Sequence, residues 1–240
     1  MKSQAVLWKT IFGAVIATVA AGTASIALAQ YPQMNAAIQI AQARQANAAL
    51  MHQYNWNSRT EILIKGEVKD MRIELVQYGP TGQLQETLLN DQEQKGTYLP
   101  TPIGFLRREH SEHEKKELEQ YLQGLKQMLQ QYTLPTTGKI YDFLSQAVPA
   151  GPDANGNFTL TGYNVVQPGD SMTMVVNAWT KHPRHLTVNT TFQGDAVQLS
   201  ATFKTMPVSG LNYAAFAEAD VPAKNLTVQV QNYDFARLGY

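Results

Sequence analysis

Five histidines and a handful of clustered acids are the residues in this chain whose types and spacing could do chemistry. His110 and His113 stand three apart among Glu109, Glu112 and Glu114. Two histidines at that spacing share a helix face, and a carboxylate could complete a metal shell. The spacing is not His-Glu-x-x-His, however, and dense charge runs of this kind are usually solvated faces. No metal is therefore expected. His182 and His185 flank Pro183 at a hairpin tip, where imidazoles could titrate near neutral pH; they read as ordinary turn residues. Glu218 and Asp220 share a strand face without a second wall opposite them to divide acid and base roles. The chain has no cysteine, so a thiol nucleophile is excluded. The Gly138-Lys139 pair lacks the glycine spacing of a phosphate loop, and no Gly-x-Ser-x-Gly elbow is present. No cofactor motif is found, and the chain is expected not to be an enzyme.

With polar chemistry so thin, the apolar positions become the candidates. Ile62, Ile64, Ile73, Leu75, Leu186, Val188, Leu199 and Phe203 recur at strand spacing and form the candidate ligand-binding wall. Alternation of this kind gives one buried and one wet sheet face, and a register error of one residue inverts the assignment. Trp56, Trp179, Tyr163, Tyr213, Phe203 and Phe216 could also line a slot, although aromatic residues more often build core.

The elements that would carry these positions can be read in order. Met34 to about Tyr54 is rich in Ala and Gln and reads as a helix with a broad apolar stripe, covered on more than one side. Strand signals run from Arg59 to Lys65, with a connection over Gly66 to Asp70, then from Met71 to Val76. Pro80 and Gly82 mark a turn starting at Gly79 before a third strand, Leu84 to Leu89. Asn90 to Gly104 reads as a long loop. Ser111 with Glu114 forms a capping-box signature. The helix that follows carries Leu118, Tyr121, Leu122, Leu125, Leu129 and Tyr132 at steps of three and four. Ile140, Phe143, Leu144 and Ala147 mark a shorter helix ending before Pro149. After the Gly151–Gly156 turn the chain is all strand: Asn157–Tyr163, Ser171–Ala178, Arg184–Phe192, Ala196–Thr205, Asn212–Asp220 and Asn225–Tyr233. About nine strands and three helices suit one large curved antiparallel sheet with helical cover, an α+β fold.

The chain starts with Lys2 and Lys9, an apolar run from Ile11 to Leu28, and Ala27-Leu28-Ala29. This is the pattern of a secretory leader, with cleavage expected before Gln30. Residues 1–29 are read as a signal peptide and 30–240 as a single domain with a helical insertion around 106–148. Lys plus Arg and Asp plus Glu are 19 each. Losing Lys2 and Lys9 leaves 17 against 19, about −2, which makes no electrostatic case for nucleic acid or an anionic membrane surface. No second apolar run of spanning length follows. The protein is expected to be periplasmic or secreted. Asn157, Asn189 and Asn225 begin Asn-x-Thr triplets, read as chance products of Thr-rich strands.

The stretch Thr180-Lys181-His182-Pro183-Arg184 between two strands fits a Thr-x-x-Pro-Arg turn. With the leader, length, N-terminal helix and run of strands, it resembles the LolA-like and RseB-like periplasmic proteins of the lipoprotein-carrier superfamily. The Asn90–Gly104 loop and the charged helix after Ser111 are not matched by that family. The resemblance implies a half-barrel with a helical lid and a lipid, acyl chain or lipoprotein as partner. The leading expectation is a binder of an apolar ligand between sheet and helices. The alternative is an envelope interaction or assembly module with a filled core.

Overall fold

The computed structural model describes residues 32–89, 112–133 and 137–239. The leader, the Asn90–Gly104 loop, His110 and Ser111 of the capping box lie outside the described residues, as do the side chains of Glu112, His113 and Glu114. Among the described residues three α-helices are seen: α1 (Pro32–Met51), α2 (Glu112–Thr133) and α3 (Thr137–Gln146). Ten strands follow the chain as β1 (Tyr54–Ile64), β2 (Glu67–Tyr78), β3 (Leu84–Leu88), β4 (Val148–Ala150) and β5 (Asn157–Tyr163). The second half adds β6 (Ser171–Asn177), β7 (Pro183–Phe192), β8 (Asp195–Thr205), β9 (Asn212–Val221) and β10 (Leu226–Arg237).

All ten strands form one antiparallel sheet in the order β3-β2-β1-β10-β9-β8-β7-β6-β5-β4. The sheet is curved and unclosed, an α+β half-barrel with three helices on its inner face. The connectivity explains the cover. β3 and β4 are the two opposite edges, and the chain between them contains α2 and α3. That segment must traverse the sheet, and its apolar side chains take it across the apolar face. β4 is three residues long and contains Pro149, which cannot donate to a further strand and so blunts the edge.

Tight turns set the registers. β1 and β2 are joined by Lys65 (φ 54°) and Gly66 (φ 77°), a two-residue connection with both residues left-handed. The turn is shorter than the Gly66–Asp70 connection expected, and β2 starts at Glu67. β1 likewise starts at Tyr54, because α1 stops at Met51.

Across the inner face the pairings Ile62↔Val228, Val228↔Ala219, Ala219↔Leu199, Leu199↔Val188 and Val188↔Met172 form one apolar row. α2 lays Leu122, Leu125, Leu129 and Tyr132 onto this surface, with Leu129 fully enclosed. Two tyrosines pin it. Tyr121 Oη donates to Asp195 Oδ2 at 3.2 Å. Tyr132 Oη donates to Asp170 Oδ2 at 2.6 Å and lies 2.9 Å from Thr190 Oγ1. Asp170 also accepts the backbone N–H groups of Val165, Val166 and Gln167. Burial alone would raise the Asp170 pKa; the Tyr132 hydroxyl and the three N–H donors outweigh it and hold the carboxyl below its ordinary value.

α1 is covered on one side, not on several. Ile40, Arg44, Asn47 and Met51 face inward, whereas Gln42, Gln45, Ala46 and Ala49 are exposed. Asn47 fixes it: its Nδ2 donates to the Asn212 carbonyl at 2.7 Å, and its Oδ1 accepts the Asn212 N–H at 2.7 Å. A smaller cluster of Trp56, Val76 and Tyr78, with Met51 and Phe235 against it, holds the C-terminal end of α1. There His52 stacks on Tyr78 at 4.4 Å. Among the described residues no helix is long and apolar enough to cross a membrane.

Candidate binding cavity

The inner face is not filled evenly. Beneath α2 the core is closed, with Leu129, Val188 and Leu199 each at 0% exposure. Beneath α1 and α3 a cavity of about 270 Å³ remains. Its floor is Met172 and Met174 of β6, Leu186 of β7, and Ala201 and Phe203 of β8. Ile40 and Met51 of α1 roof it, and Ile140, Phe143 and Leu144 of α3 form a side wall. Two of its sheet residues, Ala201 and Ala214, carry only a methyl group. α3 lies close on the sheet at β5, where a Cβ on Gly162 would come within 2.7 Å of the Phe143 ring.

Polar groups border this lining. Asn47 and Asn212 are consumed by their mutual bonds, and Asn212 Nδ2 reaches the Pro183 carbonyl at 3.3 Å. Arg44, Lys139, Asp142 and His182 are the charged or titratable side chains on the cavity wall, with the Tyr132 and Tyr213 hydroxyls. Burial pulls the Arg44 guanidinium down to about 10. Burial, and next the charge of Arg184, lowers His182, so this imidazole favours its neutral form. Its Nδ1 is buried without a hydrogen-bond partner. Among the described residues no group of three or more His, Asp or Glu comes together as a metal site.

Of the eight wall positions expected from the sequence, Leu186 and Phe203 line the cavity. Val188, Leu199 and Ile62 lie in the closed core, with Ile64 packed against it. Ile73 and Leu75 stand apart from the other six. Ile64 pairs with Glu67 and Leu63 with Val68, but a bulge follows and Ile62 pairs with Asp70. The extra residue, Lys69, shifts the register by one and turns Ile73 and Leu75 to the opposite sheet face. Val76 and Tyr78 are turned inward in their place, beside Trp56.

The aromatic candidates divide similarly. Tyr213 and Phe203 line the cavity, Trp56 is core, and Trp179, Tyr163 and Phe216 are exposed. His185 is exposed. Glu218 and Asp220 are tied across strands, accepting from Gln229 Nε2 at 2.7 Å and Thr227 Oγ1 at 2.9 Å.

Several lining residues escaped the sequence reading. Met172 and Met174 sit on an expected strand but were not among the candidate positions. Arg44 had a plainer signal, being the lone charge of the twenty-residue α1.

The fold and cavity together define an open antiparallel half-barrel with a mainly apolar pocket under its helical lid. Similar solved structures include a DUF1329 family protein from Desulfovibrio piger, at 7% identity and a TM-score of 0.38, with 86% of this chain and 93% of that chain covered. A LolA superfamily protein from Nitrosomonas europaea is similar at 9% identity and a TM-score of 0.34, covering 85% and 94% respectively. No protein-family model and no curated protein matches the sequence.

Proposed function

We propose that this protein holds an apolar chain, such as the acyl chain of a lipid, in the cavity between the sheet and α1 and α3, and acts as a carrier and not an enzyme. The observation that carries this reading is the void of about 270 Å³ floored by Leu186, Phe203 and the two methionines. Such a space is near the lower end of small-molecule pockets. At roughly 30 Å³ per water-sized group it accepts about nine methylene-sized groups. It suits one chain, and the several chains of a lipoprotein anchor would require it to widen.

The energetics favour reversible capture. About nine methylenes at ~0.8 kcal/mol each supply ~7 kcal/mol of gross transfer energy. Association costs of at least ~4 kcal/mol oppose it. Modest affinity is what a carrier that must release its cargo needs. Methionine suits the same task, because its flexible thioether adapts to chains of different shape. The leader pattern of residues 1–29 supports a place of action outside the cytosol, in the periplasm or beyond.

The test is extraction of the purified protein followed by mass spectrometry, with titration of an apolar fluorescent dye in parallel. Co-purified acyl lipid, or dye binding that a fatty acid competes away, is expected. A protein that emerges empty and leaves the dye in water would remove the reading. It would favour the filled-core interaction module, whose description already suits the half of the sheet beneath α2.

A further inference from the structure

The cavity wall carries a group that a purely apolar pocket would not need. α1 has one charged residue in twenty, Arg44, and it lines the cavity. Its inward placement follows from helix spacing. Asn47 is three residues on and Ile40 four residues back, and both also line the cavity. The guanidinium is desolvated by the protein around it, and no ion pair or hydrogen bond to it exists among the described residues.

Arg44 is half-buried, and holding a cation away from part of its water without a counter-charge is costly. Arg is also the side chain least able to escape by losing its proton. Its five N–H donors lie in a planar fork that matches the oxygens of a carboxylate or phosphate.

The neighbouring groups permit such a head. Asp142 of α3 is exposed at the cavity wall and makes no ion pair with Arg44. Lys139 of the same helix has a partner of its own. Asn47 bonds to Asn212, and Asn212 reaches the carbonyl of Pro183, the residue after His182. Arg44 and these polar groups line the same cavity as the hydrocarbon surface of Met174, Leu186 and Phe203.

We propose that the cavity is built for a single-chain anionic amphiphile, with its oxyanion head on the Arg44 guanidinium and its tail over Leu186, Phe203 and Met174. This inference rests on the apolar-chain reading above and adds the sign of the ligand's head. A fatty carboxylate and an alkyl phosphate share that chemistry.

The experiment is calorimetric titration of the full chain with undecanoate, decyl phosphate and decanol, which share a ten-carbon tail close to the cavity's capacity. At least one of the two anions should bind about tenfold or more tightly than the alcohol, as charge-assisted hydrogen bonds imply. A preference between the two anions identifies the head, carboxylate or phosphate. Arg44→Met should bring both anions down to the level of decanol measured on the same variant, whereas Arg44→Lys should keep part of the preference. Equal binding of all three ligands by the unaltered protein overturns the head site and leaves the apolar cavity standing. Binding of none overturns the cavity reading itself. The first comparison uses the unaltered protein, so a folding defect in a variant cannot obscure it.

Discussion

Replacing Ala201 with Leu tests whether the void under α1 and α3 is the place where a chain sits. Ala201 is 2% exposed, lies on the inner face between Leu186 and Ala217, and borders the cavity floor. The substitution adds three carbons, which project into empty space. Each takes the place of about one ligand methylene. The loss is three times ~0.8 kcal/mol, or about 2.4 kcal/mol, a roughly 60-fold weaker binding of undecanoate. Folding stability should hold or rise, because filling a cavity reverses the cost of creating one. Calorimetric titration and thermal unfolding of the same preparation read both quantities. The matched control is Leu129→Ala in the closed core beneath α2. It should cost about 2–5 kcal/mol of stability and leave the affinity nearly unchanged. Two results would refute the reasoning. If Ala201→Leu keeps undecanoate binding within about threefold at unchanged stability, the chain binds elsewhere. If it destabilises by the 1–3 kcal/mol typical of overpacking, the site is tightly packed and the void is not available.

Two further predictions concern the parts that hold the cavity in shape. Asp170→Asn leaves Tyr132 and three backbone N–H groups facing an uncharged amide, one end of which is itself a donor. A loss of about 3 kcal/mol is expected, read as a lower urea midpoint at unchanged slope. Because the native Asp170 pKa lies below its ordinary value, this stabilisation is fully present above about pH 4 and disappears as pH falls through the native pKa. The wild-type and Asn midpoints should therefore converge in acid, and a gap that stays constant from pH 7 to pH 3 would count against the carboxylate's role. Gly162→Ala places a methyl group 2.7 Å from the Phe143 ring. It should cost about 1–3 kcal/mol by pushing α3 off β5, and the double change with Phe143→Leu should recover part of that. Additive losses would mean that the two residues do not press on each other.

The architecture was legible because hydrophobic alternation is a local signal. In β7, β8 and β10 the inward residues stand two apart without interruption, and their boundaries fall within a few residues of the expected ones. α2 was equally open to reading, its six expected apolar positions all facing the sheet. Where the reading failed, a single residue decided the outcome. Lys65 accepts a positive φ, so the first hairpin turns earlier than its sequence suggests. Lys69 sits in a bulge, and the face of Ile73 and Leu75 inverts. Pro149 reads as a breaker, yet an edge position tolerates it, which hid β4. The cavity was hidden for a different reason. Alternation shows which side chains face inward and says nothing of whether their volumes sum to the space between the layers. That balance turns on a few methylenes, and two of the cavity's sheet residues, Ala201 and Ala214, carry only a methyl group. Arg44 alone could have pointed to it. It is the one charge on a helix otherwise free of charge, it is turned toward the cavity, and that inward placement is what the ligand head proposed above would account for.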